Sequence, residues 1–206
     1  PRRRRGRRRV PLRAALAQAW LADLIAGFAA RHPEIRLELE LTARVVNLVE
    51  EGFDLAIRAG EDVPPGLIAR LLTRMTTGVY ASPGYLAGLP ALRHPRDLAQ
   101  VNALLLAGRR ADSEWILRRG SDQASVVPQG NLRVTDLATL VQLAAAGAGA
   151  ALLPQPLVRR ETEAGRLVPM IPGWQGPAVP IHTVYASRRM PLRLRLFLDE
   201  LRRTLG

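Results

Sequence analysis

Residues 41–60 read LTARVVNLVEEGFDLAIRAG, and the fold class follows from them. Val45, Val46, Leu48 and Val49 gather on one side of a short amphipathic helix expected to open near Thr42 and to stop at Gly52, a residue suited to a left-handed helix end. Phe53, Leu55 and Ile57 then alternate with Asp54, Ala56 and Arg58, the period of a half-buried strand. Just upstream, Ile35, Leu37, Leu39 and Leu41 alternate with Arg36, Glu38 and Glu40. Strand, helix and strand within about 25 residues make a right-handed βαβ unit, which requires a parallel sheet. Ligands of such sheets sit beyond the carboxyl ends of the strands, so Thr42-Ala43 and Arg58-Ala59-Gly60 are expected to face a crevice.

The chain has 206 residues, enough for one α/β domain or two small lobes, and its 48% hydrophobic content is ordinary for a globular protein. No apolar run approaches the roughly 18 residues of a membrane span. The opening PRRRRGRRR has no apolar signal core behind its charges, because Arg13, Gln18 and Asp23 interrupt the next stretch. Cysteine is absent, which excludes disulfides, thiolate metal sites and a Cys nucleophile and fits a cytoplasmic setting. Seven of the 30 basic residues lie in the first nine positions, so the net charge of +12 leaves +12 − 7 = +5 for the rest. All 30 are arginine, the mark of a GC-rich coding sequence, and residues 1–5 are read as a basic disordered tail rather than a phosphate-binding arm.

Outward from the central unit, a first strand is expected over Arg7 to Leu12, although Arg8, Arg9 and Pro11 suit a central strand badly. Leu16, Trp20, Leu21, Leu24, Ile25 and Phe28 form a helical stripe that His32-Pro33 ends. Extended segments come next at Leu67 to Met75 and Gly78 to Ala81, and Ser82-Pro83 opens a short helix. Pro95 to Ala99 suggests another helix, and Ala103 to Leu106 an apolar strand. Short strands are expected at Trp115 to Leu117, Ala124 to Val127 and Leu132 to Val134, the last two joined by the turn PQGN. Thr135-Asp136 caps a longer helix, and its free amides make either an anion seat or a plain cap. A strand over Ala150 to Leu153, a helix over Pro156 to Ala164 and an extended Leu167 to Ile171 precede the connector PGWQGPAVP. The chain closes with a strand, Ile181 to Ala186, and an amphipathic helix over Arg193 to Leu205; no internal repeat is visible.

The sequence carries no catalytic or metal-binding pattern. His32 and His94 precede prolines, His182 lies in a strand, and neither HExxH, CxxC nor G-x-S-x-G occurs. Glu50-Glu51 and Glu61-Asp62 read as solvated charge, so no catalytic residues, metal or cofactor are expected.

RVVNLVEEGFDLAIRAGE, then LIARLL, YASPGYL and HPRDL, then LRVTD, AAAGAGAALLP, GRLVPMIPGW, PIHTVYASRR and RLRLFLDEL together resemble the regulatory domain of LysR-type transcriptional regulators, over about residues 6–201. The resemblance implies an α/β fold like that of type 2 periplasmic binding proteins, with two Rossmann-like subdomains joined by two crossovers. Residues 6–76 and 183–206 would form the first, and residues 77–182 the second. It further implies a small effector, an organic acid or aromatic metabolite, held between the lobes. The contacts by position would be Arg13, Ala14, Ala15, Thr42, Ala43, Gly60, Ser82, Asn102, Thr135 and Asp136. Members pair side by side, which would place Leu16, Trp20, Leu24, Phe28, Ile35, Leu37 and Leu39 at a homodimer interface. Members also carry a winged helix-turn-helix not found in these residues, so this chain alone is not expected to read DNA. A transport-type solute-binding protein is the alternative on the same fold. Pro11-Leu12-Arg13-Ala14-Ala15 lacks the hydroxyl- or amide-rich loop usual after the first strand, which leaves Arg13 to supply charge there or to point to water.

Overall fold

The computed structural model describes residues 7–12, 21–41, 48, 50, 51, 53, 55–60, 65–107, 114–185 and 192–205. In chain order these give β1 (Arg7–Leu12), α1 (Ala22–Arg31), β2 (Arg36–Leu41), β3 (Ala56–Ala59), β4 (Ile68–Ala81), α2 (Pro83–Ala87), a 3-10 helix (Pro95–Gln100) and β5 (Asn102–Leu106). Next come β6 (Trp115–Arg119), β7 (Asp122–Val126), β8 (Gln129–Val134), α3 (Leu137–Ala145), β9 (Ala151–Pro154), α4 (Gln155–Glu163), β10 (Val168–Pro169), β11 (Gly176–Tyr185) and α5 (Leu192–Leu205). The helix expected from Thr42 to Gly52 falls largely outside the described residues. Two compact units result: residues 1–74 with 180–206, and residues 75–179. The chain leaves the first within β4 and returns to it within β11.

In the first unit β1 pairs in parallel with β2, from Arg7 opposite Arg36 to Leu12 opposite Leu41. On its other side Leu12 stands opposite Ile57 of β3, also parallel. The two strands flanking residues 42–55 are therefore parallel, with β1 between them. Among the described residues β3 is met beyond Pro11, at Leu12, which suits a residue without an amide proton. β11 closes the set antiparallel to β3, Ile181 opposite Ala59 through Val184 opposite Ala56. Leu21, Leu24 and Phe28 of the α1 stripe and Leu194, Phe197, Leu198 and Leu201 of α5 are buried. The Phe28 and Phe197 rings meet edge to face at 5.1 Å, and Arg31 pairs with Glu200 at the rim of this contact.

The second unit repeats the strand plan without repeating the sequence. β5 pairs in parallel with β8, and a parallel bridge joins Ala103 to Ala150, the residue leading into β9. β9 lies antiparallel to β4, and β10 antiparallel to β4 on its other side. Both units thus hold a parallel trio whose middle strand comes first in sequence, with an antiparallel strand beside the third. After Asn102, β5 is apolar because both its faces are covered. Ala103 and Leu105 pack with Trp115, Leu117 and Trp174, whereas Leu104 and Leu106 pack with Leu140, Val141 and Leu153.

Three expectations from sequence are corrected. Leu67 to Met75 and Gly78 to Ala81 are one strand, since Thr76 and Thr77 are β-branched and suit extended backbone. PQGN is not a hairpin turn: β7 pairs with β6 through the two-residue loop Gly120-Ser121, and β8 pairs with β5. Gly130 lies inside β8, where a Cβ would stand 1.7 Å from the Ala103 carbonyl oxygen; the glycine serves close backbone approach. Finally, β11 starts at Gly176 within the supposed connector. Its prolines cannot donate, but their carbonyls accept, Pro177 from the Thr77 hydroxyl at 3.1 Å and Pro180 from the Gly60 amide at 2.9 Å.

Glu161 is a buried acid in the second unit, held by the Arg166 guanidinium and by Gln142 Nε2 at 3.4 Å. Its carbonyl also accepts the Arg166 and Leu167 amides, which fixes the turn out of α4. The Arg166 hydrogen bond holds the Glu161 carboxyl below the ordinary glutamate range. A depressed carboxyl stabilises the fold above its unfolded value and loses that contribution as pH falls through the folded one.

Acid denaturation of the wild type should therefore begin to erode stability below about pH 4.3, the unfolded glutamate value. Glu161→Gln should be less stable at neutral pH and should lose less on acidification, as read by urea unfolding at a series of pH values. Gly130→Ala should cost roughly 3 kcal/mol through overpacking against backbone. Gly84→Ala, in a helix with nothing within 4 Å of the added carbon, should stabilise by about 0.5–1 kcal/mol, and thermal melts read both.

Candidate functional site

A parallel trio with its first strand in the middle has a switch point: loops leave the first and third strands in opposite directions, and a crevice opens at their carboxyl ends. In the first unit that place is flanked by Leu12 of β1 and by Ala59-Gly60 after β3. Gly60 has φ +104°, a backbone state that side chains rarely adopt. Its amide donates to Pro180, and His182 Nδ1 lies 3.1 Å from its carbonyl oxygen. A carbonyl only accepts, so Nδ1 carries the proton and Nε2 is left as an acceptor in the neutral ring. His182 also stands opposite Arg58 in the β3–β11 register. Local sequence gives no signal for this histidine because its partner is 122 residues away.

In the second unit the carboxyl ends are those of β5, β8 and β9. Thr135, exposed, and Asp136 come directly after β8. The Asp136 carboxylate accepts the Thr139 amide at 2.8 Å and the Thr139 hydroxyl at 2.9 Å. It thus caps α3 and fills the first-turn field that an anion would use. Beyond β9, Gln155 accepts from the Thr76 hydroxyl, and Thr76 leads to Thr77 opposite Pro154. Gln155 also bonds to Tyr80, whose phenol pKa is raised, burial outweighing that bond. Sequence reasoning missed Thr76 and Gln155; the adjacent hydroxyls of Thr76 and Thr77 were the available signal.

Ser82 and Asn102 lie at the other end of this sheet. Asn102 starts β5 and Leu106 ends it, a separation of roughly 13 Å along the strand. Both polar side chains are committed to the fold. Ser82 accepts the Tyr85 amide at 3.2 Å as the cap of α2. Asn102 Nδ2 donates to the Ala148 carbonyl at 2.9 Å, its Oδ1 accepts the Asn131 amide at 3.3 Å, and its own amide donates to the Tyr85 hydroxyl at 2.9 Å. The structure therefore separates Ser82 and Asn102 from Thr135 and Asp136. Arg13, Ala14, Ala15, Thr42 and Ala43 lie outside the described residues.

Of the residues expected at a partner surface, Leu24, Phe28 and Ile35 are buried within the first unit, which accounts for their apolarity without a partner. Leu37 is half-buried, and Leu16, Trp20 and the Leu39 side chain lie outside the described residues. Among the described residues β2 ends the row of strands. Among the described residues no three His, Asp or Glu side chains gather so as to hold a metal ion.

The family model for the LysR substrate binding domain matches residues 1–206. The chain belongs to that family. This LysR domain is 34% identical over 202 residues to the HTH-type transcriptional regulator PtxR of Pseudomonas aeruginosa, covering 98% of the chain and 65% of that protein. A second regulator of the same species, an HTH-type transcriptional repressor, is 34% identical over 197 residues, covering 94% of the chain and 62% of the repressor. The chain thus spans somewhat less than two thirds of these relatives. Among solved structures it is similar to the regulatory domain of CrgA, a LysR-type regulator of Neisseria meningitidis, with a TM-score of 0.87 and 30% identity over 98% of this chain and 99% of that one. The fold also matches full-length AphB of Vibrio cholerae, with a TM-score of 0.82 and 24% identity over 98% of this chain and 69% of that one. These relatives are regulators of transcription, not enzymes, and the transport alternative finds no support among them.

Asn102→Ala should lower stability by about 1–3 kcal/mol, because it strands the Ala148 carbonyl and the Asn131 amide. Asp136→Ala should cost about 1 kcal/mol as a lost helix cap, and Asp136→Asn much less, both read by urea unfolding.

Proposed function

We propose that this LysR domain senses a small organic acid or aromatic metabolite at the carboxyl ends of its parallel strands, and that occupancy controls transcription through a helix-turn-helix region of the same regulator. The reading rests on the family match together with the strand plan, which both units share and which opens each sheet at its switch point. Gly60 flanks that place in the first unit, where His182 keeps Nε2 as an acceptor, and Thr76, Gln155 and Thr135 bring polar side chains to it in the second. Arg13, Ala14, Ala15, Thr42 and Ala43 come after the ends of β1 and β2 in sequence and belong to the same proposed contact set. Asp136 disfavours an anion at the start of α3, so an acidic group is better received near Arg13. Effector binding stabilises whichever arrangement it fits better, and the response is limited by that difference in affinity.

The proposal includes a homodimer in the bacterial cytoplasm, formed through the outer face of α1 and the neighbouring strand β2. Asp23, Ala26 and Ala30 are exposed on that helix, and no described helix is long and apolar enough to cross a membrane. Small side chains let a second backbone approach closely.

Melting curves against a library of organic acids and phenols test the sensing role. An effector present at a hundred times its Kd should add about 2.7 kcal/mol of stability. Silence across such a library, with the protein folded, would count against it. Ala26→Arg should shift sedimentation toward the monomer while leaving the melting of each unit intact; an unchanged dimer would remove α1 from the interface.

A further inference from the structure

The first unit has a second concavity, a pocket of about 590 Å³ between the start of β4, the end of β11 and α5. That volume falls in the range of small-molecule sites. It lies away from Gly60: the β3–β11 register puts Tyr185 one place beyond the amino end of β3, roughly 17 Å along the strand from Pro180, the partner of Gly60. All its lining residues belong to the first unit.

Its charge is one-sided. Arg195, Asp199 and Arg202 line it from α5 at i, i+4 and i+7, and Arg70 lines it from β4. Arg202 is 3.4 Å from Asp199, so that acid already has a cation. The guanidinium groups of Arg70 and Arg195, both exposed, have no hydrogen bond or ion pair among the described residues. Two guanidinium forks suited to a carboxylate, unpaired among the described residues, thus share the lining with Ile68, Leu198 and Tyr185. A cation would be repelled there, and an inorganic anion would leave the apolar wall wet.

We propose that this pocket is a second ligand site, for a small carboxylate with an apolar body, gripped by Arg70 and Arg195 and independent of the site proposed at the strand carboxyl ends. A bound acid would bridge β4 to α5, the two elements that bring Arg70 and Arg195 together.

The probe is 3-phenylpropanoate, titrated by calorimetry into the wild type, Arg70→Gln, Arg195→Gln and the double variant, with 3-phenylpropanol and inorganic phosphate as controls. Both arginines are exposed, so the variants should melt like the wild type. The expected result is wild-type binding of the acid, about tenfold weaker in each single variant. The double variant should not bind, and neither control should bind or compete. Binding that survives the double substitution, equal binding of the alcohol, equal competition by phosphate, or no wild-type binding at millimolar acid would each overturn the proposal. Gly60→Asn should leave this binding unchanged, which separates failure here from failure of the site at the strand carboxyl ends.

Discussion

The insertion of each unit's first strand between its second and third is the constraint that sets the remaining arrangement. In the first unit β1 carries β2 on one side and β3 on the other, all parallel. A parallel pair cannot be closed by a tight turn, so each connection must cross over the sheet. β5, with β8 and the chain entering β9, solves the same problem with different residues. One crossover there carries the β6–β7 hairpin, and Trp115 and Leu117 from it cover the sheet face.

That the same plan is built twice was legible through the family resemblance and not through any internal repeat, because sheets are specified by burial pattern, not identity. The apolar run of β5 and the alternating run of β2 look unalike, yet each is placed beside parallel neighbours. Element types were legible where periodicity was strong, as in α1, α5, β2 and β5. They were misread where one residue type serves two ends. Gly130 and the prolines of β11 signal turns by composition, but the first permits backbone contact and the others contribute carbonyls that accept hydrogen bonds from Thr77 and Gly60. Such uses depend on a partner distant in sequence, which no local window contains.

The candidate site was legible to the extent that it depends on topology. Gly60 and Thr135-Asp136 come after strand carboxyl ends, and position alone nominated them. Ser82 and Asn102 were nominated on the same footing, but their polar atoms satisfy backbone groups at the opposite end of the sheet. A polar residue beside a strand is more commonly employed in this way, because an unsatisfied buried amide or carbonyl is expensive. His182 and Gln155 were invisible because each gains meaning from contact with a segment dozens of residues away.

The second unit is one unbroken stretch of chain, whereas the first is assembled from two stretches that flank it. During synthesis on the ribosome, the amino-terminal stretch emerges without β11 or α5, so Phe28 has no Phe197 to pack against. The nested unit can complete its core as soon as it has emerged, but the enclosing one must wait for the final residues. Order of folding is thereby inverted relative to order of translation. Within this domain, the strands made first are among the last to reach their native surroundings.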